Sequence, residues 1–280
     1  TATTAPVQLN FFAAPASITG ATAVCIGGNI SMNITSSGGV WTSNSPAIAT
    51  IGSATGVVTG VAAGNTTMTY TMPGPSCFTT RAITVNSLPS AAYTASPNPV
   101  CLGGGSVTFT AGGGLTYAWS FGDGGTSTSN PIAHTYTTSG TFTSSLLVTD
   151  GNGCQATATA TVTINPLPSI SGTTSICLGG SSALSSPSTG GVWSSSNGNT
   201  TVGSSTGIAT GVVAGTSTIT YTLPTGCAST VVVTVNPLPG AVSAPSGSST
   251  FNFVGSIQNY TVPVGVTSIN IIAKGGQGGN

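Results

Sequence analysis

Thr66-Thr67-Met68-Thr69-Tyr70-Thr71-Met72-Pro73 decides the fold class. Met68, Tyr70 and Met72 alternate with Thr67, Thr69 and Thr71, and a period of two puts apolar groups on one face of a pleated strand and hydroxyls on the other. The segment reads as a half-buried β-strand. A near copy, Thr216 to Pro224, carries Ile219, Tyr221 and Leu223 in the same alternation. Similar patterns run through Ser106 to Thr110, Thr141 to Thr149 and Thr157 to Ile164. Gly and Asn clusters lie between them, and no stretch has helical periodicity, so the class is all-β.

The two copies belong to a larger repeat. Val24-Cys25-Ile26-Gly27-Gly28 matches Ile176-Cys177-Leu178-Gly179-Gly180, and Gly38-Gly39-Val40-Trp41 matches Gly190-Gly191-Val192-Trp193. Three segments end on almost one phrase: Asn86-Ser87-Leu88-Pro89, Asn165-Pro166-Leu167-Pro168 and Asn236-Pro237-Leu238-Pro239. Proline restricts its own backbone and the residue before it, so these joints should be extended and stiff. They divide the chain into an N-terminal extended segment (1–13), a first domain (14–86), a second (87–165), a third (166–236) and a linker with an incomplete β-rich segment (237–280).

Cysteines fall in pairs between the joints: Cys25 and Cys77, Cys101 and Cys154, Cys177 and Cys227. One pair per repeat favours three bridges, each inside its own domain. Metal binding, the rival reading, needs close Cys-x-x-Cys spacing with His, which is absent. Units of about 70 to 80 residues bury modest cores and commonly need a covalent staple. A loop of this length contributes up to about 4 kcal/mol in the chain-entropy account. Oxidised thiols in every repeat imply a periplasmic or extracellular home.

Of 280 residues only Arg81, Lys274, Asp123 and Asp150 carry full charge, with one histidine, His134. Nucleic-acid binding needs clustered cations to displace counterions from phosphate, and two cations exclude it. The same count excludes an anionic membrane surface, and no apolar run approaches the roughly 20 residues of a spanning helix. Abundant Val, Ile, Thr, Tyr and Phe argue against disorder. No charged leader with an apolar core opens the sequence, so any secretion signal is expected to have been removed or to lie elsewhere.

One tryptophan per repeat, Trp41, Trp119 and Trp193, follows the first cysteine by 16, 18 and 16 residues. This spacing is like that of the buried tryptophan of immunoglobulin-like sandwiches, and these residues read as core anchors. Repeats one and three, through VWTSNSPAIATIGSATGVVTGVAAGNTTMTYT (40–71) and VWSSSNGNTTVGSSTGIATGVVAGTSTITYT (192–222), resemble bacterial Ig-like domains of group 2. The second resembles a PKD domain, through Trp119-Ser120-Phe121-Gly122-Asp123-Gly124, His134-Thr135-Tyr136 and Gly140-Thr141-Phe142. Residues 250–280 resemble the opening of Gly-rich modules in large surface proteins of gliding bacteria. These resemblances imply tandem β-sandwiches serving as spacers or adhesive modules of secreted bacterial proteins. The cysteines depart from the pattern, and the bridge is expected to clasp one end of each sandwich.

Candidate chemistry is sparse. Asp123 and Asp150 are the only acids available for paired-carboxylate work, and both sit in Gly- or Asn-flanked turns. Ca²⁺ ligation is the alternative reading, although such sites gather more carboxylates. His134 is the only base for a serine nucleophile, and in the resembled family its motif supports the fold. No helix follows the glycines, which excludes phosphate-cradling fingerprints. No catalytic residue, cofactor or metal is expected. Asn29, Asn33, Asn65, Asn199 and Asn259 stand in Asn-x-Ser/Thr triplets, so glycan modification stays open.

A chain without charge lacks the usual guards of exposed sheet edges. Either glycans shield those edges or they are meant to pair. Val7, Leu9 and Phe11 alternate with polar neighbours ahead of the first repeat and are candidates for strand donation to another copy. The segments 251–253, 260–262 and 269–271 are further candidates. Head-to-tail donation without closure gives a homopolymer. The leading expectation is a non-enzymatic structural subunit of an extracellular filament or adhesin stalk. A carbohydrate- or protein-binding adhesin module comes second, and accessory domains of a secreted hydrolase third.

Overall fold

The structure, a computed structural model, describes residues 14–74 and 77–238 and the single residues 261 and 269. The donor candidates Val7, Leu9 and Phe11 and the proposed tail strands lie outside the described stretches. The chain divides into two compact units, Thr1–Ile164 and Asn165–Asn280. Every regular element among the described residues is a β-strand.

The first unit holds two sandwiches. In the first, β1 (Thr19–Gly20), β2 (Ala23–Cys25), β3 (Asn29–Asn33), β4 (Val40–Ser43), β5 (Ala49–Ile51), β6 (Val57–Gly60), β7 (Gly64–Thr71) and β8 (Phe78–Asn86) form sheets ordered β1-β3-β6-β5 and β2-β8-β7-β4. In β7 the period-two pattern is realised with Thr66, Met68 and Tyr70 buried and the threonines between them half-buried. These meet Trp41, Met32, Val58, Ile83 and Val85 in one core. A single strand runs the other way round: β2 pairs parallel with β8, with Cys25 opposite Asn86.

The second sandwich comprises β9 (Tyr93–Ser96), β10 (Val100–Cys101), β11 (Val107–Ala111), β12 (Thr116–Ser120), β13 (Thr126–Ser127), β14 (Ile132–His134), β15 (Gly140–Thr149) and β16 (Gln155–Asn165). Its sheets run β10-β16-β15-β12-β13 and β14-β11-β9. Phe109, Trp119, Phe121, Leu146, Val148 and Val162 fill the space between them. The third, in the other unit, comprises β17 (Ser175–Cys177), β18 (Ser181–Ala183), β19 (Val192–Ser195), β20 (Thr200–Val202), β21 (Ile208–Gly211), β22 (Gly215–Thr222) and β23 (Ala228–Asn236). It repeats the first, with sheets β17-β23-β22-β19 and β18-β21-β20 and Cys177 opposite Asn236 on a parallel β17–β23 pair.

Edge length is graded sharply. The long strands β7, β8, β15, β16, β22 and β23 lie inside their sheets, while every edge strand among the described residues has two to four residues. Short edges offer few unpaired backbone groups, so length, more than charge, blunts them.

The expected bridges inside each domain are not what the structure contains. Cys25 bonds Cys154 (Cα–Cα 5.6 Å), 129 residues away, while Cys77 and Cys177 are free thiols. Cys101 and Cys227 are disulfide-bonded. The reason is the parallel pairing. Cys25 lies beside the last residue of β8 and Cys77 just before its first, so nine residues at about 3.3 Å each hold the two roughly 30 Å apart. A bridge needs Cα atoms within about 7 Å. Cys177 and Cys227 stand at the two ends of β23 in the same way.

Candidate functional site

Two polar constellations stand out, both in the second sandwich. In the first, Asp123 follows β12 in a turn where Gly122 and Gly124 adopt positive φ. Gly125 N donates to Asp123 Oδ1 (2.9 Å), and His134 Nε2 donates to Asp123 Oδ2 (2.7 Å) from β14. The His134 ring stacks on Phe121 (centroids 4.0 Å apart, 11° between planes) and meets Tyr136 edge-on at 4.7 Å. Tyr136 Oη donates to the Phe121 carbonyl (3.0 Å) and its ring stacks on Phe142. Burial pulls the Asp123 carboxyl upward, but hydrogen bonds from His134 and Gly125 and the His134 charge outweigh it and leave its pKa below the ordinary aspartate value. Burial, reinforced by Asp123 and Tyr93, pushes Tyr136 up to about 12. A histidine stacked on one side, edged on another and tied through Nε2 to a carboxylate has its ring fixed. The cluster pins the β12–β13 turn to β14.

The second constellation is the hairpin between β15 and β16. Asp150 Oδ1 accepts from Asn152 N (2.9 Å) and Cys154 N (2.8 Å), and Asp150 N donates to the Cys154 carbonyl (3.0 Å). An aspartate that mimics the backbone in this way sets the shape of a tight turn. Here it presents Cys154, 1% exposed, to Cys25 of the preceding sandwich. The disulfide is therefore a covalent joint between consecutive modules of the first unit.

Trp41, Trp119 and Trp193 are 5%, 2% and 6% exposed and lie in the three cores. Trp119 Nε1 donates to the Ser129 carbonyl (3.0 Å), and Tyr70 and Tyr221 pack on Trp41 and Trp193 with ring centroids 4.9 and 4.5 Å apart. Sequence reasoning missed the work of these tyrosines. Tyr70 Oη accepts from Gly39 N (2.8 Å) and donates to the Ser36 carbonyl (3.0 Å); Tyr221 Oη does the same with Gly191 N (3.0 Å) and the Ser188 carbonyl (2.8 Å). The signal was the Gly-Gly-Val-Trp phrase shared by both repeats. It also missed Arg81, whose Nη1 and Nη2 donate to the Ile18 (2.7 Å) and Gly20 (2.9 Å) carbonyls and tie β1 down. No local pattern reveals a contact across that separation. Among the described residues no group of three His, Cys, Asp or Glu side chains converges as a metal site would require. A surface depression of about 530 Å³ beside Cys177 is lined by small residues, among them Gly172, Ser175, Gly180 and Ser181.

Residues 89–164 match the family model of the PKD domain. The microbial collagenase of Vibrio alginolyticus is 39% identical over 89 residues, 29% of this chain; the matched stretch spans 11% of that enzyme's length. Among solved structures, the PKD1 domain of Vibrio anguillarum Epp is 31% identical, covering 29% of this chain and 98% of that one, with a TM-score of 0.25. Invasin, a bacterial integrin-binding protein, is 14% identical, covering 80% of this chain and 60% of that one, with a TM-score of 0.36. The chain is a tandem of β-sandwiches, the second of which is the stretch that matches the PKD domain family. No helix among the described residues is long and apolar enough to cross a membrane.

Proposed function

We propose that this chain is a non-catalytic structural subunit of an extracellular bacterial filament or adhesin stalk. The observation that carries the reading is the Cys25–Cys154 disulfide, which joins successive modules end to end instead of stapling one module internally. A bond in that position does little for the core of either sandwich. It limits how two rigid bodies move against each other, as a strut requires and an enzyme core does not. Such a bond persists in an oxidising compartment, which supports a location outside the cytoplasm.

Assembly proceeds through strand pairing between copies, with the alternating segment around Val7, Leu9 and Phe11 as donor. Edges free of charge support it; β4 and β19 even expose Val40 and Val192. Glycans on exposed triplets such as Asn33 would shield neighbouring faces. Because each edge is only two to four residues long, strand pairing by itself forms few hydrogen bonds per joint. Negative-stain microscopy of the oxidised chain tests the reading: uniform threads support it, and monodisperse rods at all concentrations count against it.

A second reading has its own observation. The similarity to the collagenase raises an accessory role, in which the PKD domain holds a secreted hydrolase on an insoluble substrate. Saturable co-sedimentation of the chain with insoluble collagen or cellulose would favour this over the stalk.

A further inference from the structure

The six cysteines fall into two structural kinds. The carbonyls of Cys25, Cys101 and Cys177 each accept from the glycine three residues on: Gly28 N (2.9 Å), Gly104 N (2.8 Å) and Gly180 N (2.9 Å). The carbonyls of Cys77, Cys154 and Cys227 each accept from the residue that opens the closing hairpin: Met72 N (2.9 Å), Asp150 N (3.0 Å) and Leu223 N (2.8 Å). Each module thus has one turn cysteine and one hairpin cysteine, at opposite poles in the first and third. The Cys25–Cys154 bond joins a turn cysteine to the hairpin cysteine of the module that follows. Cys101 and Cys227 are also oxidised. One cysteine of each kind is left with a free thiol: Cys77, a hairpin cysteine, and Cys177, a turn cysteine.

Cys177 copies Cys25 in detail. Both lie opposite an asparagine that ends the last strand, Asn236 and Asn86. The following residues donate to equivalent carbonyls: Leu178 N to Asn236 (2.9 Å) and Ile26 N to Asn86 (3.1 Å), then Gly179 N to Gly211 (2.9 Å) and Gly27 N to Gly60 (2.8 Å). Cys177 is exposed, beside the small-residue depression, whose lining contains no charged side chain to repel an incoming hairpin. A backbone that holds a disulfide to a hairpin cysteine in the first module is thus rebuilt around the Cys177 thiol in the third.

We infer that Cys177 is a covalent docking site for the Cys77 hairpin of a second copy of this chain, so that one disulfide rule links modules within a subunit and subunits within a fibre. Cys177 and Cys77 give up their two protons and two electrons to a small disulfide oxidant such as oxidised glutathione. Its sulfur–sulfur bond breaks to release two glutathione thiols as the Sγ–Sγ bond forms. The inference goes beyond strand pairing and can fail separately from it.

The test mixes an isotopically heavy Cys77→Ser chain, which offers only Cys177, with a light Cys177→Ser chain, which offers only Cys77, in a glutathione redox buffer. Non-reducing electrophoresis and peptide mass spectrometry read the products. The expected result is a heavy–light dimer linked Cys177 to Cys77, outnumbering both homodimers by about tenfold, with Cys25–Cys154 intact. The wild-type chain should give a ladder of oligomers that reductant collapses. Statistical mixtures, a dominant Cys177–Cys177 dimer, or glutathione caps on both thiols without interchain bonds would overturn the inference. Fibres that form equally well from the Cys77→Ser/Cys177→Ser double variant would also overturn it, while leaving strand pairing in place.

Discussion

Tyr221 Oη both accepts from Gly191 N and donates to the Ser188 carbonyl, and so satisfies a loop that has no strand partner of its own. Tyr221→Phe keeps the ring against Trp193 but strands two polar groups. A loss of about 1–3 kcal/mol is expected, read as a lower denaturation midpoint with unchanged slope. Asp123 makes a different point. Its pKa lies below the ordinary value of 3.8, so its ionised form stabilises the folded state at any pH above about that value, and this contribution disappears as pH falls through the folded pKa. The melting temperature of the second sandwich should therefore drop on acidification below about pH 4. Asp123→Asn should melt lower at neutral pH and lose most of that acid-side dependence. An acid limb unchanged in the variant would show that the Asp123–His134 pair contributes nothing to folding. Both residues carry information that lies in a pairing, not in residue type.

Strands are ranked by position as much as by composition. The eight-residue β7 and β22, the ten-residue β15 and the eleven-residue β16 have partners on both sides, and their alternation was readable because one face is turned to the core and the other is more open. The two- to four-residue edges had no such signature: too short to show a period, they emerge only when a neighbour supplies hydrogen bonds. β1 is the limiting case. Its two residues are exposed, pair with β3, and are held by the Arg81 guanidinium from the opposite sheet. Arg81→Met preserves the aliphatic stem and removes both donors. Amide exchange at residues 18–20 is expected to accelerate at least about tenfold while β7 and β8 exchange as before, since local opening draws only on the contacts removed. Equal acceleration throughout the first sandwich would assign Arg81 to the core instead.

For the whole molecule, joints matter more than cores. Each sandwich has its own apolar cluster, so Cys154→Ser should leave the melts of the first two modules within about 1 kcal/mol of their wild-type values. What should change is the freedom between these two modules. Small-angle scattering of the Cys154→Ser chain is expected to show a broader distribution of dimensions than the oxidised wild type, and reductant should reproduce that change in the wild type but not in the variant. A variant that unfolds the first sandwich would show that the bond serves the core after all.

Much of this protein was legible in its residues. Period-two alternation, one tryptophan per repeat and the PKD motif are local signals, and local signals dictate strands and cores because burial acts residue by residue. The cysteine spacing was equally visible, yet it pointed to bridges inside each module. Disulfides obey distance, and distance depends on how strands pair. The parallel registers of β2 with β8 and β17 with β23 carry Cys25 and Cys177 to the poles opposite Cys77 and Cys227, a placement that no one-dimensional count contains. Which sulfur meets which was therefore settled in three dimensions, where a nine-residue strand separates two neighbours in the repeat and the next module brings a distant one within 5.6 Å.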